Sequence, residues 1–287
     1  MSLKDIIVHV DQTEHSIERV RLAVDLAIRH QSHLTALFAR EWSREQFDRR
    51  KTAELGLVSA AAISRLDYDI ENSIEAAAER LRYTLSESTR DHDLRADLVA
   101  IGGPAAVAVP QYARYADLCI LARDEPEGPP SINYTFAEQL LFVTGRPVLF
   151  VPTDQSLEAL GRKVVVAWNS SRPAARSLND ALPIIEKADQ TTVVMINPSS
   201  FIDSHEGPPA EHLAEHLARH GATVNVKRID NVAHVAIADR LQVEARALGA
   251  DLIIAGAFGR PRLWEKMLGG VTHDLIAHMR LPIFMSH

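Results

Sequence analysis

GADLIIAG, Gly249–Gly256, is a short apolar run led by Gly-Ala-Asp and closed by glycine. Taken alone it reads as a buried strand. The chain nearly repeats it as YADLCILA, Tyr115–Ala122. Each copy is followed by a helical pattern and then by a proline-led apolar strand, RPVLFVP (Arg146–Pro152) and LPIFMSH (Leu281–His287). Upstream, KDIIVHVDQT (Lys4–Thr13) matches RKVVVAWNSS (Arg162–Ser171). Landmarks repeating in the same order mark a tandem duplication. The join falls in TDQSLEALG (Thr153–Gly161), which predicts domains at 1–152 and 162–287.

Working outward in the second half, KVVVAW reads as a continuous apolar strand. Ser170 or Ser171 can cap the helix RPAARSLNDALPIIEKA, with Pro173 in its first turn. TTVVMIN is the next strand, PAEHLAEHLARHG a helix stopped by Gly221, and ATVNVKRI a more polar strand. HVAIADRLQVEARALG and GGVTHDLIAHM read as helices on either side of the strand DLIIAG, and PIFMS is the last strand. Short apolar strands alternating with helices predict parallel pairing through right-handed crossovers, an α/β sandwich. The first half follows the same order, but Glu41–Asp67 is longer and more polar and is expected to be part helix or mobile loop.

The 287 residues suit two domains that each bury a core. A net charge of −7 speaks against a nucleic-acid partner, which needs a basic face, but leaves room for a small anion that feels only the local field. The single cysteine, Cys119, lies in an apolar run and reads as a buried hydrophobe in a reducing compartment. MSLKDIIVHVDQT holds no long apolar signal core, and no run is long enough to span a bilayer. The expected location is the cytoplasm, with no membrane partner.

In open α/β sheets, ligands sit beyond the carboxyl ends of the strands, where the connections diverge. Two loops of the second half qualify: Ala167-Trp168-Asn169-Ser170, and Gly256-Ala257-Phe258-Gly259. Glycine lets backbone N–H groups approach an anion closely. Gly269 and Gly270 open the last helix, where Val271 and Thr272 occupy the first turn and Thr272 adds a hydroxyl. Arg260, Arg262 and Lys266 supply positive charge. The alternative is that these glycines only turn the chain. The phosphate loop GxxxxGK[ST] is absent, as is GxGxxG after the first strand.

Gly256, Gly259 and Gly269 form GxxG-x9-G, and this pattern on tandem α/β halves resembles the universal stress protein family. The resemblance covers nearly the whole chain. It implies two tandem, open, five-stranded parallel sheets with helices on both faces, Rossmann-like and similar to the adenine nucleotide alpha-hydrolases. The halves would be related by a pseudo-twofold axis, with the last strands meeting around Val148–Val151 and Ile283–Met285. It further implies ATP or a related adenine nucleotide, with any Mg²⁺ accompanying it. The first-strand loop would hold base and ribose, and the glycine loop and last helix the phosphates. This sequence departs from the family pattern in two places. Gly270 stands where binding members place a hydroxyl residue, and Asn169 stands where they place an acid.

In the first half, Ala122 aligns with Gly256 and Glu125 with Gly259. Asp124, Glu125 and Glu127 lie where phosphate would sit, and Tyr134 or Thr135 replaces the glycine before the last helix. Asp11 keeps the acidic position. This half reads as a degenerate site with a structural role. His212, His216 and His220 fall on one helical stripe opposite Leu213 and Leu217 and read as a solvated face rather than a metal site. His9 reads as a satisfied core histidine, and Trp168 either stacks on an adenine or joins the core. Tyr112 and Tyr115 pack or sit at an edge. GxSxG is absent and no acid–base pair is visible, so the expectation is a non-catalytic nucleotide-binding regulatory module with at most slow hydrolysis. Its rival is a scaffold that binds a protein partner and no nucleotide. A further homodimer is compatible with either.

Overall fold

The apolar runs form strands and the periodic stretches form helices throughout the residues that the computed structural model describes: 2–40, 60–102, 105–123, 136–153, 160–197, 210–230, 236–258 and 270–287. In the first half these are β1 (Asp5–Val10), α1 (His15–His30), β2 (His33–Arg40), α2 (Ala60–Thr89), β3 (Ala96–Gly102), α3 (Ala105–Ala113), β4 (Leu118–Ala122), α4 (Phe136–Val143) and β5 (Val148–Val151). The second half carries β6 (Lys163–Ala167), α5 (Arg172–Asp180), α6 (Leu182–Ile185), β7 (Gln190–Ile196), α7 (Ala210–Arg219), β8 (Val224–Ile229), α8 (Ile237–Ala247), β9 (Leu252–Gly256), α9 (Val271–Ala277) and β10 (Ile283–Ser286).

The strands order as β3-β2-β1-β4-β5-β10-β9-β6-β7-β8. All neighbours within a half are parallel. The halves meet where β5 and β10 pair antiparallel, with Phe150 opposite Ile283, Leu149 opposite Phe284 and Val148 opposite Met285. Two five-stranded parallel sheets are thus fused into one ten-stranded sheet, and the pseudo-twofold axis passes between β5 and β10. Each face of the sheet carries one apolar layer that runs through both halves. One layer gathers residues of α1, α2, α5, α6 and α7, the other those of α3, α4, α8 and α9. Phe150 and Phe284 are fully buried beside the axis, in opposite layers.

The duplicated Asp explains why the repeated stretch organises the fold. Asp117 accepts the N–H groups of Lys4 and Asp5 at 2.7 and 3.1 Å, fixing the start of β1 beside β4. Asp251 does the same for β6, accepting from Gly161 at 2.7 Å, Arg162 at 3.0 Å and Lys163 at 3.2 Å. In both halves the first and fourth strands are therefore locked side by side at their amino ends.

Two local readings change. The helix expected over RPAARSLNDALPIIEKA is split at Ala181 into α5 and α6. Pro183 has no N–H to give Asn179, so the helical ladder is interrupted there. Helix α2 begins at Ala60, inside the polar stretch Glu41–Asp67, while residues 41–59 lie outside the described residues. Across the junction, His273 of α9 lies 3.0 Å from the buried Glu138 of α4. No described helix is long and apolar enough to cross a membrane.

Candidate functional site at the carboxyl ends of β6 and β9

From the carboxyl edge of the second-half sheet, β6 leads to α5 in one layer, and the chain after β9 comes back as α9 in the other. This divergence of neighbouring strands creates a crevice. Its floor is set by Gly256. A Cβ there would lie 2.4 Å from the Ala174 nitrogen and 2.5 Å from the Pro173 carbonyl carbon. Only glycine permits this contact, so Gly256 presses the β9 end against the first turn of α5. Its glycine identity is explained by the protein's own backbone.

The β6 loop is tightly made. Trp168 donates its N–H to the Val194 carbonyl at 2.9 Å, prolonging the pairing with β7, and its half-buried ring packs on the α1/α5 layer. Ala167, also half-buried, packs on the opposite layer. The Asn169 carboxamide oxygen accepts from the Ser171 N–H at 3.2 Å, and Ser170 turns through a left-handed φ of 58°. Asn169 is exposed, and its amide NH2 makes no hydrogen bond among the described residues. The position that sequence offers for ribose or base thus presents a free donor, with one lone pair of its acceptor engaged by the turn. Ser171 caps α5, accepting from the Ala174 N–H at 3.3 Å.

The β9 loop is anchored by contacts that sequence reading missed. Ala257 donates its N–H to the Ser286 carbonyl at 2.9 Å. Phe258 adopts φ 55°. For a bulky side chain that conformation costs on the order of 1–2 kcal/mol. Its N–H donates to the Thr272 hydroxyl at 2.9 Å, and Thr272 is buried. An acceptor lone pair of the hydroxyl expected to meet phosphate is therefore engaged by the loop itself. Gly270 is the cap residue of α9 and has no side chain to bond the first-turn N–H groups, while Val271 is exposed beside it. Burial pushes the Asp274 carboxyl above its usual range, and Asp239 adds to this, while His273 and His278 oppose it. Gly259, Arg260, Arg262, Lys266 and Gly269 lie outside the described residues.

The corresponding end of β1 is filled differently. Arg19, buried in α1, donates Nε–H to the His9 carbonyl at 2.8 Å and Nη2–H to Ser16 Oγ at 2.9 Å and Asp11 Oδ2 at 3.3 Å. Asp11 also accepts from the Thr13 N–H and the Ser16 hydroxyl, both at 2.8 Å. Burial alone would raise the Asp11 carboxyl, but Arg19 and these hydrogen bonds hold it below the usual range. In the second half Ser177 takes the place of Arg19, and its buried hydroxyl has no partner among the described residues. His9 is not the satisfied histidine the sequence suggested: its Nε2 is buried and has no hydrogen-bond partner among the described residues. Burial, reinforced by Arg19, lowers its pKa to about 4, with Asp11 opposing. Asp124, Glu125, Glu127, Tyr134 and Thr135 lie outside the described residues.

Other sequence candidates find plain places. On α7, Leu217 is buried and His212 is exposed, as is His220 in the turn that follows. The rings of His216 and His220 stand 4.9 Å apart, and His220 lies 3.5 Å from Glu186. No group of three metal-binding side chains occurs among the described residues. Tyr115 is exposed and Tyr112 only partly covered, on or just after α3.

This strand order, with its crevice at the β6/β9 divergence, defines a doubly wound α/β protein built twice and fused through its last strands. Residues 161–287 match the model of the universal stress protein family. The second half of the chain belongs to that family. The whole chain shares its fold with a universal stress protein from Archaeoglobus fulgidus, at TM-score 0.70 and 15% identity, over 99% of this chain and 96% of that one. It is also similar to a putative universal stress protein from Pseudomonas aeruginosa, at TM-score 0.57 and 17% identity, over 99% of this chain and 93% of that one. A functionally unknown protein from Pseudomonas aeruginosa aligns at TM-score 0.56 and 16% identity, over 99% and 92% of the two chains. No curated protein sequence matches the chain.

Proposed function

We propose that the chain is a cytoplasmic universal stress protein in which domain 162–287 binds one adenine nucleotide, ATP or a close relative, as a non-catalytic regulatory signal, and domain 1–152 has no such site. One observation carries this reading. Gly256 packs the carboxyl end of β9 against the first turn of α5, the helix into which the β6 loop leads, at the crevice where the sheet's connections part. Asn169 stands on the β6 loop just before that helix, and its amide NH2 has no hydrogen-bond partner among the described residues. The donor set suits a nucleotide: a carboxamide NH2 for a ribose or base acceptor, and the uncapped first turn of α9 with the arginines of the Gly259–Gly269 segment for phosphate. Any Mg²⁺ would arrive with the phosphates. The first half is less suited to the same ligand because Arg19, Ser16 and Thr13 already bond Asp11. No acidic side chain is placed as a general base in the β6 loop, so hydrolysis is slow.

A second reading has its own support. The Thr272 hydroxyl accepts from Phe258 and the Asn169 oxygen from Ser171, so neither is freely offered as an acceptor to a ligand. On this reading the chain binds a protein partner and no nucleotide.

The deciding measurement is nucleotide content. Protein is denatured, the supernatant assayed for adenine nucleotide, and stripped protein titrated calorimetrically with ATP, ADP and AMP. A single nucleotide per chain, lost in Gly259→Asp and kept in Ala122→Asp, is the expected result. No nucleotide and no heat with any of the three would overturn the proposal in favour of the partner-binding reading.

A further inference from the structure

The strained turn after β9 is held in part by the other half of the molecule. Phe258, at φ 55°, stacks on Phe142 with ring centroids 4.2 Å apart and planes at 30°. Phe142 belongs to α4 in the first half. His287 closes the group edge-on to both rings, at 5.0 Å from Phe142 and 5.9 Å from Phe258, and its Nδ1 lies 3.1 Å from the Ala257 carbonyl oxygen. With the Thr272 hydroxyl on the Phe258 N–H, these contacts fix the backbone of the loop that borders the crevice.

We infer that Phe142 is a positioning residue for the second-half site: the first half serves the second by holding Phe258 in the left-handed conformation that aims the β9 loop. The sequence does not repeat the arrangement in the first half. Aligning the ADL stretches puts Asp124 opposite Phe258, and aligning the proline-led last strands puts Ala137 opposite Thr272 and Ala277 opposite Phe142. None of these three can supply the stacked ring or the hydroxyl, so the sequence does not provide for the same anchor in the opposite direction. An aromatic pair of this geometry is worth more than its buried area alone. A residue in the left-handed region persists only when its surroundings over-determine it. Removing the ring that Phe258 rests on therefore releases the turn, while glycine at position 258 would adopt the same φ without strain. The structural part of this inference stands on the contacts alone, whereas its consequence for ligand affinity rests on the nucleotide reading above.

The test uses the full chain as wild type, Phe142→Ala, Phe142→Tyr, Phe258→Gly and the Phe142→Ala/Phe258→Gly double variant. Two quantities are read: amide exchange at Phe258 in nucleotide-free protein, with Ile254 in β9 as the internal control, and ATP affinity by calorimetry. Phe142→Ala should speed exchange at Phe258 by about tenfold more than at Ile254, and weaken ATP by a similar factor. Phe142→Tyr keeps the stack and should restore both. In the Phe258→Gly background, Phe142→Ala should change ATP affinity little, because the two positions then no longer act through each other. Equal acceleration at Phe258 and Ile254, or none at either, would overturn the inference, since Phe142 would then be ordinary packing. If exchange responds as expected but wild type binds none of ATP, ADP or AMP, the nucleotide reading fails and the positioning role stands. If ATP binds and Phe142→Ala leaves it unchanged, the nucleotide reading stands and the positioning role fails.

Discussion

His9 and His30 carry imidazoles whose pKa falls from 6.5 to about 4, in both cases chiefly through burial. Arg19 adds to the effect at His9, and Lys187 and Arg29 add to it at His30. A histidine with a depressed native pKa stays neutral in the fold while the unfolded chain takes up a proton. Stability is therefore full above the unfolded pKa and is lost as pH falls from about 6.5 towards 4, by up to about 3 kcal/mol per group. Urea midpoints measured at neutral pH and near pH 5 should show this fall, and His30→Gln should flatten it. A wild-type profile that stays level would contradict the burial of both rings. Cys119 behaves consistently with its apolar run: it is fully buried, and burial pushes its thiol up to about 12. Thiol reagents should label it only as fast as the chain unfolds, and rapid labelling of native protein would refute that placement. Gly256 differs, because its sequence context suggested ligand contact and its surroundings demand glycine for packing. Gly256→Ala puts a Cβ into the α5 backbone and should destabilise by roughly 2 kcal/mol or more, read as a lowered urea midpoint, with or without nucleotide present.

At the scale of elements, the strands follow from local apolar runs and the helix limits from local chemistry. Of the two serines that the sequence offers as a cap, Ser171 caps α5, and Gly221 turns with φ 84° after α7. Ser171→Ala should cost about 1 kcal/mol of stability by denaturant titration. An unchanged midpoint would mean that the 3.3 Å bond to Ala174 contributes nothing. The duplicated Asp was legible as a landmark, but its role was not, because the N–H groups that Asp251 accepts lie 88–90 residues away. The same distance problem hid Arg19. Nothing in its helical neighbourhood announces that its guanidinium will fill the end of β1 and bind Asp11.

The whole molecule adds a cooperative unit that neither half has alone. Each apolar layer crosses the β5–β10 junction, so the halves share their cores. Phe284→Ala, at that junction, should cost about 3–5 kcal/mol and lower the midpoint of a single unfolding transition. Two separated transitions would show that the halves fold independently. The sequence by itself determined the duplicated α/β pattern, the strand and helix positions, and the two loops that border the crevice. Those features depend on periodicity, capping and glycine spacing within a few residues. Only the tertiary structure decided that Gly256 serves the α5 backbone, that Asp11 is taken by Arg19, and that Phe258 rests on Phe142. Each of these is a contact between segments far apart in the chain, chosen by which surfaces the ten-stranded sheet presses together.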